Sequence, residues 1–261
     1  MNVMHRKKIR AAFSSADEYD GHARVQRVVA NNCAAHIAAL PLPPRPRILE
    51  IGCGTGFLTE AIIAQGISAD WLITDISADM VDRCRARVGA GPNRRFATLD
   101  GEYGEPEDIG CYDLICSSLA MQWFDDLDRA LERTMNWLAP GGHCLFTTLA
   151  SDSFAEWRAA HTASGLEPGT PEFLTVGQLT AIQAATAQAP PEVGRYVERH
   201  DSALDFMRCL KAIGAHTAKR QHRPLPPLQM RQVMRNFEQA GAAVTYEVAT
   251  CHYMRPLRAS L

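Results

Sequence analysis

The chain has 261 residues, a formal net charge of −2 and 46% hydrophobic side chains, enough for one α/β domain with an elaborated cap or for one and a half domains. No apolar run approaches the length of a membrane span, and the basic start Met1-Asn-Val-Met-His-Arg-Lys-Lys8 lacks a following apolar signal segment, which predicts a cytoplasmic protein. Eight cysteines without C-x-x-C read as small core residues under reducing conditions, and nine scattered histidines without H-x-x-x-H or H-E-x-x-H predict no metal site.

In chain order, Val25, Val28, Val29, Cys33, Ile37 and Leu40 recur at helical spacing, and Pro41-Leu-Pro-Pro44 stops that helix. Ile48, Leu49 and Ile51 make a short buried strand, followed by Gly52-Cys-Gly-Thr-Gly56, whose glycines let the backbone turn tightly and approach a ligand. A second apolar run, Trp71-Leu-Ile-Thr-Asp75, ends in a carboxylate suited to accept hydrogen bonds from a ribose. Met80, Cys84 and Val88 mark the next helix, Phe96 to Asp100 a third strand ending in an acid, and Tyr112 to Ser118 a central fourth strand. Leu127, Leu131, Met135 and Leu138 mark a helix ended by Pro140-Gly-Gly142, and a fifth strand runs on to Thr148. From Ala150 to Pro191 the chain is alanine-rich and polar with no evident strand, which predicts a helical insertion. Phe206, Met207, Leu210 and Ile213 mark a further helix, Met230, Val233, Met234 and Phe237 another, and Ala243 to Tyr253 alternate as a final strand. Alternating strands and helices predict a doubly wound α/β fold. The expected organisation is a helical cap over 1–44, an α/β core over 45–149, a helical lid over 150–194 and a C-terminal part over 195–261 that completes the sheet.

A glycine loop and an acid at the ends of neighbouring parallel strands suit a nucleoside. The dinucleotide pattern G-x-G-x-x-G would need glycine where Phe57 stands, and no P-loop occurs. Glu50 would repel a pyrophosphate and suits a cationic ligand. The stretch Glu50 to Gly56 resembles motif I of class I S-adenosylmethionine (SAM) methyltransferases, which implies a Rossmann-like doubly wound sheet with SAM as cofactor. Asp75-Ile76-Ser-Ala-Asp-Met80 resembles that family's D-x-S-x-x-M, in which the positions of Ile76 and Met80 pack on adenine. Asp100 matches the position that bonds the adenine amino group. The resemblance thus implies SAM contacts from Glu50, Gly52, Cys53, Gly54, Asp75, Ile76, Met80, Asp100, Gly101 and Ser117. Met80 also reads as a core methionine, and Asp100 as a turn residue before Gly101.

A narrower resemblance covers nearly the whole chain. Ala12-Phe-Ser-Ser-Ala-Asp-Glu-Tyr-Asp20 with Ala23-Arg-Val-Gln26, Ser118-Leu-Ala-Met-Gln-Trp123, Phe146-Thr-Thr-Leu149 and Leu210-Lys-Ala-Ile-Gly-Ala215 are similar to malonyl-acyl-carrier-protein O-methyltransferases of biotin biosynthesis. This implies methylation of the free carboxylate of malonyl-acyl carrier protein, or of malonyl-CoA. The chain departs from the family at Thr170-Pro-Glu-Phe173, where many members have Asn-Arg-Phe, so the arginine implied for the malonyl carboxylate is not matched there.

A carboxylate acceptor is already ionised near neutral pH and needs no base. The segment after the fourth strand fits, with Ser117, Met121, Gln122 and Trp123 and no Asp, Glu, His or Lys before Asp125. Tyr19, Gln122 and Trp123 are the candidates for enclosing the methyl group and its acceptor, while Tyr19 and Trp123 also read as aromatics sealing the core. Arg158, Lys211 or an arginine of the lid are candidates for holding the substrate carboxylate. Asp125 and Asp126 read as helix caps. Residues 194–235 hold nine Lys or Arg against Glu198, Asp201 and Asp205, +6 there and −8 elsewhere, either a docking surface for an acidic carrier or a solvated helical face. No nucleic-acid motif is present, and Ser117-Ser-Leu-Ala120 lacks the N/D-P-P-Y element of base-amine methyltransferases. The other readings are a SAM enzyme for another small carboxylic acid or a phenol, and a non-methylating SAM-binding assembly factor.

Overall fold

Four short parallel strands form one side of the sheet, with β3 at its edge: β1 (Arg47–Ile51), β2 (Asp70–Asp75), β3 (Arg94–Thr98) and β4 (Tyr112–Ser118). Ile48, Leu49, Ile73, Leu114, Ile115 and Cys116 are fully buried, as strands covered on both faces require. Each large apolar side chain so buried stabilises the fold by roughly 1.5–3 kcal/mol. Between the strands run α3 (Phe57–Ala64), α4 (Ala78–Val88) and α5 (Leu127–Trp137). Ser77 caps α4 by accepting from the Met80 N–H, and Asp126 caps α5 by accepting from the Arg129 N–H, as its position implied.

The structure, a computed structural model, describes residues 11, 19–182, 186–187, 189–214 and 222–257. Residues 12–18, Ala215, Lys219 and Arg220, which the motifs and the basic segment include, lie outside the described residues. The sheet has the order β3-β2-β1-β4-β5-β8-β6, with β7 also paired to β8. The added strands are β5 (Leu138–Leu149), β6 (Thr186–Ala187), β7 (Glu192–Arg199) and β8 (Ala243–Met254). The strand order reverses between β1 and β4, where an α/β sheet opens a crevice at its carboxyl edge.

The chain divides into two compact units. One comprises Gln26–Thr148, Val176–Glu192 and Ala249–Leu261, with β1 to β5, most of α2 (Arg24–Ala38), α7 (Val176–Thr180) and the end of β8. The other comprises Met1–Val25, Leu149–Thr175 and Val193–Val248, with α1 (Tyr19–His22), α6 (Ala155–Thr162), α8 (Ala203–Ala212) and α9 (Pro227–Gln239). Its core is aromatic: Trp157 stands edge-on to Phe206 and Phe237, each at 5.2 Å between ring centroids, and Phe154 to Tyr246 at 5.0 Å.

Three elements differ from expectation. Helix α5 stops at Trp137 and β5 begins at Leu138, so Pro140-Gly-Gly142 lies inside β5. There Tyr112 pairs with Leu138 and Leu114 with His143, so the expected turn is a bulge in the ladder. Strand β3 starts at Arg94 and ends at Thr98, leaving Asp100 in the turn beyond it. The insertion carries α6 and α7 as expected, and in addition β6 and the start of β7. Strand β7 escaped notice because its pattern is inverted: Gly194, Tyr196 and Glu198 face partly inward, while Val193 and Val197 are 40% and 62% exposed.

Candidate active site

At the end of β1 the chain turns through Gly52 and Gly54 at φ of 72° and 53°, conformations that disfavour any side chain. A Cβ at Gly52 would lie 2.4 Å from the Cβ of Ala120, whereas one at Gly54 would meet nothing within 4 Å. The backbone at Gly54 therefore faces open space. Beneath it Glu50 is only 1% exposed; the Thr59 hydroxyl on α3 donates to its carboxylate at 2.5 Å, and burial pushes its pKa up to about 7. Cys53 is buried in the same loop.

Asp75 closes β2 with a carboxylate held by the backbone. The Gly54 N–H donates to Oδ2 and the Ser77 N–H to Oδ1, both at 2.9 Å. A carboxylate has about four lone-pair sites, so these donors leave room for a ligand hydroxyl. Burial nonetheless raises the Asp75 pKa, outweighing these donors. Ile76 is half-buried, and Met80 is buried at 1% in the first turn of α4, as a core methionine would be.

Asp100 builds the turn after β3, its Oδ1 accepting from the N–H groups of Glu102 and Tyr103 at 3.0 and 3.2 Å. A Cβ at Gly101 would lie 2.3 Å from Ile51 Cγ2, so only glycine lets this turn approach β1. Glu102, which the sequence reading passed over, is 3% exposed, and its Oε1 accepts from the N–H groups of Asp125 and Asp126 at 2.8 and 2.9 Å. Arg133 donates to the carbonyls of Glu102 and Gly104. Together they tie the loop after β3 to the loop after β4. No spacing marks Glu102.

At the end of β4 the Ser117 hydroxyl, fully buried, donates to the Ile51 carbonyl at 2.7 Å and locks β4 to β1. Leu119 follows at φ 49°, a left-handed conformation costly for a branched side chain. Its N–H donates to Thr147 Oγ1 at 3.2 Å, and its carbonyl takes the Gln122 amide at 2.6 Å. Gln122 Oε1 is buried with no hydrogen-bond partner. In the short 3₁₀ turn Met121–Trp123, Met121 is buried and Trp123 half-buried.

Twelve of the thirteen predicted site residues thus lie at or just beyond the carboxyl ends of β1 to β4 within one unit. Tyr19 opens α1 in the other unit, half-buried. In that unit the Arg158 guanidinium donates to the carbonyls of Ser153 and, at 2.7 Å, Ser151, while Lys211 is exposed on α8. Among the described residues no group of three or more His, Cys, Asp or Glu could hold a metal ion, and no helix is long and apolar enough to cross a membrane.

A family model described as a methyltransferase domain matches residues 49–144. The chain is 44% identical over 243 residues to the "Biotin biosynthesis bifunctional protein BioCD" of Bordetella avium, covering 93% of this chain and 51% of that one. It thus spans about half the length of that relative. It is 38% identical over 246 residues to the "Malonyl-[acyl-carrier protein] O-methyltransferase" of Magnetococcus marinus, covering 93% of this chain and 90% of that one. Among solved structures, the YcgJ protein of Bacillus subtilis superposes with a TM-score of 0.59 at 13% identity, covering 86% of this chain and 98% of that one. The [4+2]-cyclase SpnF gives 0.52 at 17% identity, covering 87% and 82%. These structures establish the Rossmann-like fold of class I methyltransferases, and a cyclase among them shows that the fold alone does not fix the reaction. Identity sustained over nine-tenths of both chains does more: the chain belongs to the malonyl-acyl-carrier-protein O-methyltransferase family.

Proposed function

We infer that this chain is a SAM-dependent O-methyltransferase that esterifies the free carboxylate of malonyl-acyl carrier protein in biotin biosynthesis. The observation that carries the chemistry is the base-free segment from Ser117 to Phe124, which suits an acceptor already ionised. The donor set suits the cofactor: open backbone at Gly54, the carboxylates of Glu50 and Asp75, and the unpaired Gln122 oxygen favour a cationic, hydroxyl-bearing ligand over a polyphosphate. Glu50, Gly52, Cys53, Gly54, Asp75, Ile76, Met80, Asp100, Gly101 and Ser117 would hold SAM. When bound, SAM supplies an electrophilic methyl group on a sulfonium.

The protein's own part is to align and to exclude water. Orientation of two bound partners lowers a barrier by up to roughly 7 to 11 kcal/mol. Gln122, fixed through its amide to the Leu119 carbonyl, gives a bound donor a preset acceptor, and Trp123 beside it shields the methyl group. No side chain has to take a proton, because the attacking carboxylate carries none. Arg199, Arg208, Lys211 and Arg223 are exposed cations of the basic segment and form the docking surface for an acidic carrier. The protein works in the cytoplasm and takes no nucleic acid.

Incubation with SAM and malonyl-acyl carrier protein, beside malonyl-CoA and the unloaded carrier, should add one methyl by mass only to malonyl species. SAM binding without methylation of any malonyl thioester would leave the cofactor reading and remove the substrate; the acceptor would then be another small carboxylic acid or a phenol, or the chain a non-methylating assembly factor.

A further inference from the structure

The amino ends of the parallel strands, opposite the glycine loop, border a cavity of about 380 Å³. It is lined by Arg47, Trp71, Arg95, Asp108 and Tyr112 among others, all in one compact unit. The five residues of β1 separate it from the loop by roughly 15 Å. A cavity of this size takes a small molecule.

Two features show what it is built to hold. Arg47 and Arg95 both donate through Nη2 to one oxygen, Asp108 Oδ2, at 3.0 and 2.9 Å. Asp108 lies on the connection between β3 and β4 with its side chain 43% exposed, and such exposed ion pairs are weak. The protein thus supplies its own replaceable carboxylate to a pair of guanidiniums. The second feature is Tyr112, which is 1% exposed and whose buried hydroxyl has no hydrogen-bond partner. Burial pushes its pKa up to about 12, so it stays a donor, and the charges of Arg95, Asp108 and Arg47 all act on it. A buried donor without an acceptor is costly to keep. The Arg47 guanidinium lies 5.8 Å from the centre of the same ring.

We propose that this cavity binds a small carboxylate-bearing molecule, whose carboxylate replaces Asp108 between Arg47 and Arg95 and accepts the Tyr112 hydroxyl. Asp70 is paired with Arg45 and Asp108 alone bridges Arg47 and Arg95, so displacing it opens one carboxylate-sized position between two guanidiniums, which favours a monoanion over a phosphate dianion. The site is independent of methyl transfer.

The test is a titration of the full chain with sodium butyrate, followed through its backbone amide resonances, with sodium chloride at equal ionic strength and sodium phosphate as separate arms. Butyrate should shift the amides of Arg95, Asp108 and Tyr112 saturably. Asp108→Asn removes the internal competitor and should lower the apparent Kd at least threefold; Tyr112→Phe should raise it at least threefold. Both changes are nearly isosteric, and thermal melting verifies that each variant is folded. Shifts that track chloride, unchanged or weaker butyrate binding in Asp108→Asn, or tighter saturation by phosphate would each overturn the proposal.

Discussion

At the carboxyl edge of the sheet, Asp75, Asp100 and Glu102 take their hydrogen bonds from backbone N–H groups, whereas at its amino edge Asp108 is held by Arg47 and Arg95, and in the other unit Asp152 and Glu247 share Arg195. The difference is between orienting a charge and cancelling it. Backbone donors are neutral and fixed, so they aim a carboxylate without neutralising it, which suits a ligand that brings its own cation or hydroxyls. In the other unit Arg195 supplies the cation for Asp152 and Glu247, while Arg199, Arg208, Lys211 and Arg223 stand exposed.

The largest test of that contrast is Glu50, which takes Thr59 as its hydrogen-bond donor and has no cation beside it. Its pKa near 7 lies above the ordinary 4.5, so the folded state keeps a proton that the unfolded state releases in between. Stability therefore falls as pH rises from about 4.5 to 7, and the full cost, about 3 kcal/mol, stands above pH 7. Glu50→Gln should melt progressively higher than the parent as pH is raised from 5 to 8, yet bind SAM more weakly. A melting difference constant with pH would show that Glu50 is not the buried titrating group.

Next in size, Asp75→Ala should raise the SAM dissociation constant at least tenfold, about 1.4 kcal/mol by calorimetry; unchanged affinity would remove the ribose role. Smaller is the joint reversal Lys211→Glu with Arg223→Glu. It should raise KM for malonyl-acyl carrier protein several-fold at low salt and leave malonyl-CoA unaffected, with the gap closing as salt is added; equal loss for both would refute docking. Least of all, Val197→Thr on the outward face of β7 should shift stability by under about 0.5 kcal/mol. A larger loss in chemical denaturation would mean that this valine packs against something.

What could be read from the residues follows the same physics. Strands β1, β2 and β4 are covered on both faces, so their apolar runs are continuous, and the glycine loop and Asp75 stand at their ends. Asp126 was legible because a cap is a local device. The start of β5 was not, since Pro140-Gly-Gly142 normally ends a chain direction and here sits in a bulge set by the pairing with β4. Glu102 and Arg133 were equally hidden, because their bonds go to backbone groups more than twenty positions away. Ser117 was read as a SAM contact; its hydroxyl donates to Ile51, a tie between strands that no linear spacing announces.

Cys53 has a further consequence. A thiolate is among the strongest nucleophiles a protein offers, and this one belongs to the loop proposed to hold an alkylating sulfonium. Burial drives its pKa well above the ordinary thiol value, so the sulfur stays protonated. All eight cysteines are free thiols and seven are buried, Cys111 being the half-exposed exception. Loss of solvation thus keeps this thiol in its less nucleophilic form beside the proposed reagent, without any residue assigned to guard against it.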